Sequence, residues 1–120
     1  VKYSISLKEN RDFRRLYSKG RSKASSRMVV YCRKNRLGKN RIGITVSTKL
    51  GCAVKRNRIR RRMREAYRLN EERFEPGNDI VIVVRGKAMD SEFSELTQTL
   101  LQMSGALGLL KPDPAEEETL

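Results

Sequence analysis

The sequence predicts a single small α/β (α+β) sandwich around one sheet, with elements in the order α-β-β-β-α-β-α. Three observations carry that prediction. Apolar residues recur at helical spacing in three separated stretches, Phe13–Tyr17, Ile59–Tyr67 and Phe93–Leu107. Between them lie alternating or wholly apolar runs of strand length, Met28–Arg33, Arg41–Ser47 and Asp79–Arg85. The 120 residues suffice for one core, so residues 1–111 are assigned to one domain and residues 112–120 to an acidic, disordered tail.

In chain order, Ser6-Leu7-Lys8-Glu9 has the form of a capping box, and Phe13, Leu16 and Tyr17 follow at i, i+3 and i+4 before Gly20, predicting a helix over residues 8–18. Residues 20–27 are polar and basic, suited to an irregular segment or a short edge strand. In the strand Met28–Arg33, Met28, Val30 and Cys32 share one face and Val29, Tyr31 and Arg33 the other. The basic loop 34–40, with Gly38 for its turn, predicts a hairpin to the strand Arg41–Ser47. There Ile42, Ile44 and Val46 look into a core, while Gly43, Thr45 and Ser47 make a small, hydroxylated outer face that a ligand backbone can approach. A helix from about Ala53 to Arg73 ends before Pro76-Gly77. Asp79–Arg85 is apolar on both faces and reads as a central strand reached through that helical crossover. Asp90 or Ser91 then caps a last helix with the core-facing stripe Phe93, Leu96, Leu100, Met103 and Leu107.

The middle helix organises the chain. Seven of the ten residues from Lys55 to Arg64 are Lys or Arg, yet Ile59, Met63, Ala66 and Tyr67 stand at i, i+4, i+7 and i+8 and form one side that packs. At about 100° per residue, Asn57, Arg61, Arg64 and Arg68 fall opposite that row, with Arg58, Arg60 and Arg62 on the flanks. A charge run is commonly a solvated face. Such faces, however, mix acids with bases, whereas Arg60 and Arg64, and Arg64 and Arg68, repel at i, i+4 with Glu65 the only acid nearby. That repulsion implies an absent polyanion, and guanidinium forks suit phosphate oxygens.

Composition agrees. The formal charge is +13, and residues 1–111 hold all 27 bases against ten of the 14 acids, a formal +17. A field of that size favours nucleic acid. No histidine is present, which excludes a protein-borne Ser-His-Asp, Cys-His or His-ligated metal mechanism. Cys32 and Cys52 form no CxxC motif and are expected to be buried or half-buried fillers in a reducing cytoplasm, since no signal-peptide pattern is seen. The longest purely apolar run, Ile80–Val84, is far short of a bilayer span, so no membrane partner is expected. Phosphate-binding glycine motifs and clustered carboxylates are missing, and Asp12, Glu65 and Asp79 read as a helix-start acid, a charge partner and a strand-edge residue. No catalytic residue and no metal ligand is assigned.

Aromatics among the bases sharpen the nature of the partner. Phe13 and Tyr17 share a face of the first helix, and Tyr31 shares a strand face with Arg33. Aromatics interleaved with Lys and Arg stack unpaired bases without sequence choice. Pattern alone leaves Phe13 and Tyr17 divided between core and cleft; the small face of Thr45 and Ser47 tilts the reading toward a cleft for a single strand.

The run Gly51-x-Ala53-Val54-x-Arg56-Asn57-Arg58-Ile59-x-Arg61-x-x-Arg64-Glu65 closely resembles the signature of the bacterial ribonuclease P protein subunit. Asp12-Phe13, Val46-Ser47, Arg85-x-x-Ala88 and the element order are similar to that family as well, over roughly residues 5–107. The loop at residues 85–88 lacks a proline that relatives often carry, and the acidic tail matches no motif.

The resemblance implies a mixed sheet with a left-handed β-α-β crossover through the basic helix, against the general right-handed preference. It implies a subunit of a ribonucleoprotein endoribonuclease in which a catalytic RNA, with magnesium held mainly by that RNA, removes the 5′ leader of precursor tRNA. By motif, Arg56, Asn57, Arg58, Arg60, Arg61 and Arg64, with Arg68, would face the catalytic RNA. Phe13, Tyr17 and Tyr31 would line the leader cleft, joined by Ser47 and Lys49. The partners implied are ribonuclease P RNA and precursor tRNA, with no obligate protein partner. The residues by themselves also admit a ribosomal or assembly protein that coats structured RNA, and a duplex DNA binder; dependence on a leader separates these readings.

Overall fold

The middle strand of the sheet is the one strand apolar on both faces. The computed structural model describes residues 4–7 and 9–112; the acidic tail, Pro112 excepted, lies outside the described residues. The elements are β1 Ser4–Ser6, α1 Asn10–Lys19, β2 Arg21–Ala24, β3 Met28–Lys34, β4 Asn40–Thr45, α2 Ala53–Asn70, β5 Asn78–Val84 and α3 Phe93–Ala106, with 3₁₀ turns at Thr48–Leu50, Glu71–Arg73 and Gly86–Asp90. The strands form one mixed sheet in the order β1-β4-β5-β3-β2. β5 buries Ile80, Ile82 and Val84 on one face and Val81 on the other, so it needs a neighbour along each edge and cover above and below. It pairs antiparallel with β3, from Met28↔Val84 to Lys34↔Asn78, and parallel with β4, from Arg41↔Asp79 to Thr45↔Val83.

That arrangement corrects the predicted hairpin. β3 and β4 are not partners, because β5 lies between them, and residues 35–39 bridge the gap. The Asn35 side chain braces this bridge, its Nδ2 donating to the Lys39 carbonyl at 2.9 Å and its Oδ1 accepting from the Leu37 N–H at 2.8 Å.

Both predicted caps are also corrected. Ser6 ends β1, which runs parallel to β4 (Ser4↔Asn40, Ser6↔Ile42), and the chain is still extended there, with the Leu7 N–H donating to the Ile42 carbonyl at 2.8 Å. α1 starts later, after Glu9, whose side chain makes no capping bond. The capping box of this chain is at α3: the N-cap is Glu92, whose side chain accepts from the third residue's N–H, while Glu95 Oε1 accepts from the Glu92 N–H at 2.9 Å. Ser91 Oγ instead donates to the Lys87 carbonyl at 2.8 Å.

The sheet separates two layers. On one face Met28, Val30, Cys32, Ile80, Ile82 and Val84 pack against Ile59, Met63, Ala66 and Tyr67 of α2 and Leu96 and Leu100 of α3. On the other, Leu16 of α1 packs with Leu7 and Val81, and Phe13, Tyr31 and Val83 are partly buried around them. Gly43 lies under the Phe13 ring, where a Cβ would come within 2.8 Å of two ring carbons. The small residue at this point of the outer face therefore seats a side chain of the same chain and not a ligand backbone. Arg41 fastens the layers: its Nε and Nη2 donate to Asp79 Oδ1 and Oδ2 at 2.7 and 2.6 Å, and Nη1 reaches Asp12 Oδ2 at 3.4 Å. Of the two free thiols, Cys32 is buried as expected, whereas Cys52 is exposed at the N-cap of α2.

Candidate nucleic-acid interface

α2 turns its apolar row inward, which fixes where its bases go. Asn57, Arg58, Arg61, Arg64 and Arg68 are exposed, and Arg56, Arg60 and Arg62 are half-buried on the flanks. The flanking guanidiniums are held locally. Arg56 Nε donates to the Gly51 carbonyl at 3.2 Å, Arg60 Nη1 to Asn57 Oδ1 at 3.1 Å, and Arg62 Nη2 to the Ser91 carbonyl at 3.1 Å. Arg68 meets the Glu65 carboxylate through two nitrogens, and that neighbour holds the Glu65 carboxyl below its ordinary range. Among the described residues, Arg68 is the one α2 arginine in an ion pair with an acid. Arg58, Arg61 and Arg64 meet no acid in an ion pair among the described residues.

Ahead of the helix, Ser47 Oγ accepts from the Lys49 N–H at 3.2 Å and closes the turn Thr48–Leu50. Gly51 follows with φ 153°, a value side chains rarely adopt, and admits the chain into α2. Lys49, Lys55, Arg58 and Arg62 converge on one cavity of about 400 Å³ beside this junction.

The aromatics gather on the other face of the sheet. Tyr17 and Tyr31 meet edge to face with centroids 4.9 Å apart, and Phe13 and Tyr17 lie tilted at 6.5 Å. Leu16 takes the core position of α1, leaving Phe13 half-buried and Tyr17 43% exposed. Phe13 and Tyr17 thus border an open cleft of about 450 Å³ with Asn10, Arg14 and Thr45. Phe13, Tyr17 and Tyr31 come together as a cluster. Lys49 does not join them, since it borders the cavity beside α2. Asn10 and Arg14 were not read from the sequence as cleft residues, although both stand at helical spacing from Tyr17 and the signal was there.

Among the described residues no three His, Cys, Asp or Glu side chains group together in a way that could hold a metal ion. Asp12 and Asp79 share Arg41 as their ion-pair partner. Among the described residues no helix is long and apolar enough to cross a membrane.

A family model for ribonuclease P matches residues 1–108. The chain belongs to the ribonuclease P protein family. It is 42% identical over 104 residues to the ribonuclease P protein component of Alkaliphilus metalliredigens, covering 87% of this chain and 94% of that relative. To the ribonuclease P protein component of Clostridioides difficile it is 43% identical over 95 residues, 78% of this chain and 83% of the relative. Its fold is similar to the solved structure of the Staphylococcus aureus RNase P protein, with a TM-score of 0.82 and 33% identity over 89% of this chain and 98% of the other. In this ribonuclease P protein the arginine helix and the aromatic cleft lie on opposite faces of one sheet.

Proposed function

We propose that this chain, the protein component of the tRNA 5′ maturation enzyme ribonuclease P, binds the enzyme's RNA along α2 and holds the single-stranded leader of precursor tRNA in the α1 cleft. The observation that carries the reading is the α2 face itself, where Arg58, Arg61 and Arg64 stand exposed and meet no acid among the described residues. Like charges held at helical spacing without neutralisation favour a phosphate backbone as their counterpart. Asn57, Arg56, Arg60 and Arg68 extend the same face.

Phe13 and Tyr17 in the cleft, with Tyr31 edge-on behind Tyr17, offer rings to unpaired bases, and Arg14 lies beside them for the backbone. The segment 45–49 leads from the cleft to the α2 junction, and Ser47 and Lys49 are assigned to the passage between the two. Hydrolysis belongs to the RNA, whose phosphates hold most of the magnesium, in keeping with a sequence without histidine and without a carboxylate cluster among its described residues. Residues 1–111 work as one unit, with precursor tRNA and ribonuclease P RNA as partners in the cytoplasm and no obligate protein partner.

Reconstitution with ribonuclease P RNA at low magnesium tests this. The protein is expected to accelerate leader removal and to cut nothing alone. Phe13→Ala or Tyr31→Ala should weaken precursor tRNA by about 5- to 150-fold, the equivalent of roughly 1–3 kcal/mol per stacked base, and leave mature tRNA unchanged. Equal losses on both RNAs would overturn the leader assignment and favour a protein that coats RNA.

A further inference from the structure

The cavity beside the N-terminal half of α2 has more chemistry than phosphates need. Its volume of about 400 Å³ falls within the roughly 300–1,000 Å³ of small-ligand sites. Four cations line it, Lys49, Lys55, Arg58 and Arg62, and Leu50 and Met89 give it an apolar, partly exposed wall. Asp90 borders it as well. That carboxylate is exposed and, among the described residues, enters no ion pair with the cations around it. Nor does it cap α3, where Glu92 and Glu95 complete the box. A carboxylate repels phosphate but accepts from the exocyclic amine of a base.

One wall is fixed in advance. Arg62 is tied to the Ser91 carbonyl at 3.1 Å, and Ser91 Oγ accepts from Arg27 Nε at 2.9 Å, while Arg27 Nη2 reaches Glu95 at 2.6 Å. Gly51, whose φ of 153° is one that side chains rarely adopt, sets the entry of the chain into α2 at the edge of the cavity, with the Lys55 stem and the Met89 methyl beside it. On the Arg62 side little ordering remains to oppose binding.

We infer that this cavity takes one unpaired nucleotide of the RNA, its phosphate on the cations, its base against Leu50 and Met89, and its exocyclic amine on Asp90. The inference rests on the reading of α2 as the RNA face. An unstacked nucleotide is the ligand that combines all three features, and such bases are what proteins read in RNA.

The full chain with labelled methionine methyls, titrated in parallel with AMP, CMP, GMP, UMP and inorganic phosphate, tests it. The Met89 methyl resonance should respond to the three amine-bearing nucleotides about tenfold more tightly than to UMP, and not to phosphate. Asp90→Ala, a change at an exposed residue that removes the acceptor and spares the fold, should erase that preference. With ribonuclease P RNA, Met89→Ala should raise Kd roughly fivefold, as one or two lost methylene contacts would, at an unchanged salt slope, whereas Arg58→Ala should lower the slope by about one. A response to phosphate equal to that of the nucleotides, or none to any nucleotide, overturns the site. Nucleotide binding alongside an unchanged slope for Arg58→Ala would overturn RNA as the source, and with it the reading of α2, while leaving a site for free nucleotides.

Discussion

Cys32 and Cys52 have the same side chain in opposite settings. Cys32 is wholly buried in β3, and desolvation pushes its thiol up in spite of the nearby Arg21 charge. Cys52 is exposed at the start of α2, where chiefly the Lys55 backbone N–H, helped by that of Val54 and the Lys55 charge, draws its thiol down. Since the thiolate is the nucleophile, iodoacetamide at neutral pH should alkylate Cys52 in the native protein and Cys32 only after unfolding, as peptide mass spectrometry would report. The rate at Cys52 should rise through a midpoint below that of an ordinary thiol; equal labelling of both residues would contradict this. Sequence spacing could not tell the two apart, because an exposed cysteine at an N-cap carries no cue that separates it from a core filler. The Gly43 contact was hidden for a related reason. Alternation along β4 gives the face on which Gly43 lies, but not that α1 lays Phe13 over it.

At the scale of the element, α3 contains a correctable defect. Ser104 is fully buried, and its Oγ has no hydrogen-bond partner among the described residues. Removing an unsatisfied hydroxyl and gaining helix propensity both favour Ser104→Ala, which should stabilise by about 1 kcal/mol and raise Tm by roughly 4–8 °C in thermal unfolding. A lower Tm would show that the hydroxyl has a partner after all. The apolar stripes of α2 and α3 were legible because helical periodicity is local: Ile59, Met63, Ala66 and Tyr67 are all buried, as spacing required. The doubly apolar run in β5 likewise marked a central strand. The hairpin failed because strand insertion is non-local, and nothing in residues 34–40 announces that a run some forty positions later will part β3 from β4. The misplaced caps have two causes. The Ser6–Glu9 pattern yielded to ladder pairing with β4, and the cap in use, Glu92, is a residue type that cap preferences rank low.

Across the whole molecule, charge is divided between a basic body and an acidic terminus. Deleting residues 113–120 removes Asp113, Glu116, Glu117 and Glu118 and no base, taking the formal charge from +13 to +17. Binding to unrelated RNA should tighten more than binding to ribonuclease P RNA at low salt, and the gap should close as ionic strength shortens the Debye length to about 3 Å near 1 M. Filter binding with both RNAs over a salt series would measure it, and an unchanged ratio would mean the terminus does not tune discrimination. The position of β5 has an outcome for synthesis. The keystone of the sheet leaves the ribosome after the arginine rod, so Ile59, Met63 and Tyr67 emerge before Ile80 and Ile82 exist to receive them. A nascent chain stopped short of Asn78 has two half-sheets and no join between them, and its cationic helix lacks the strand it packs against until β5 has followed.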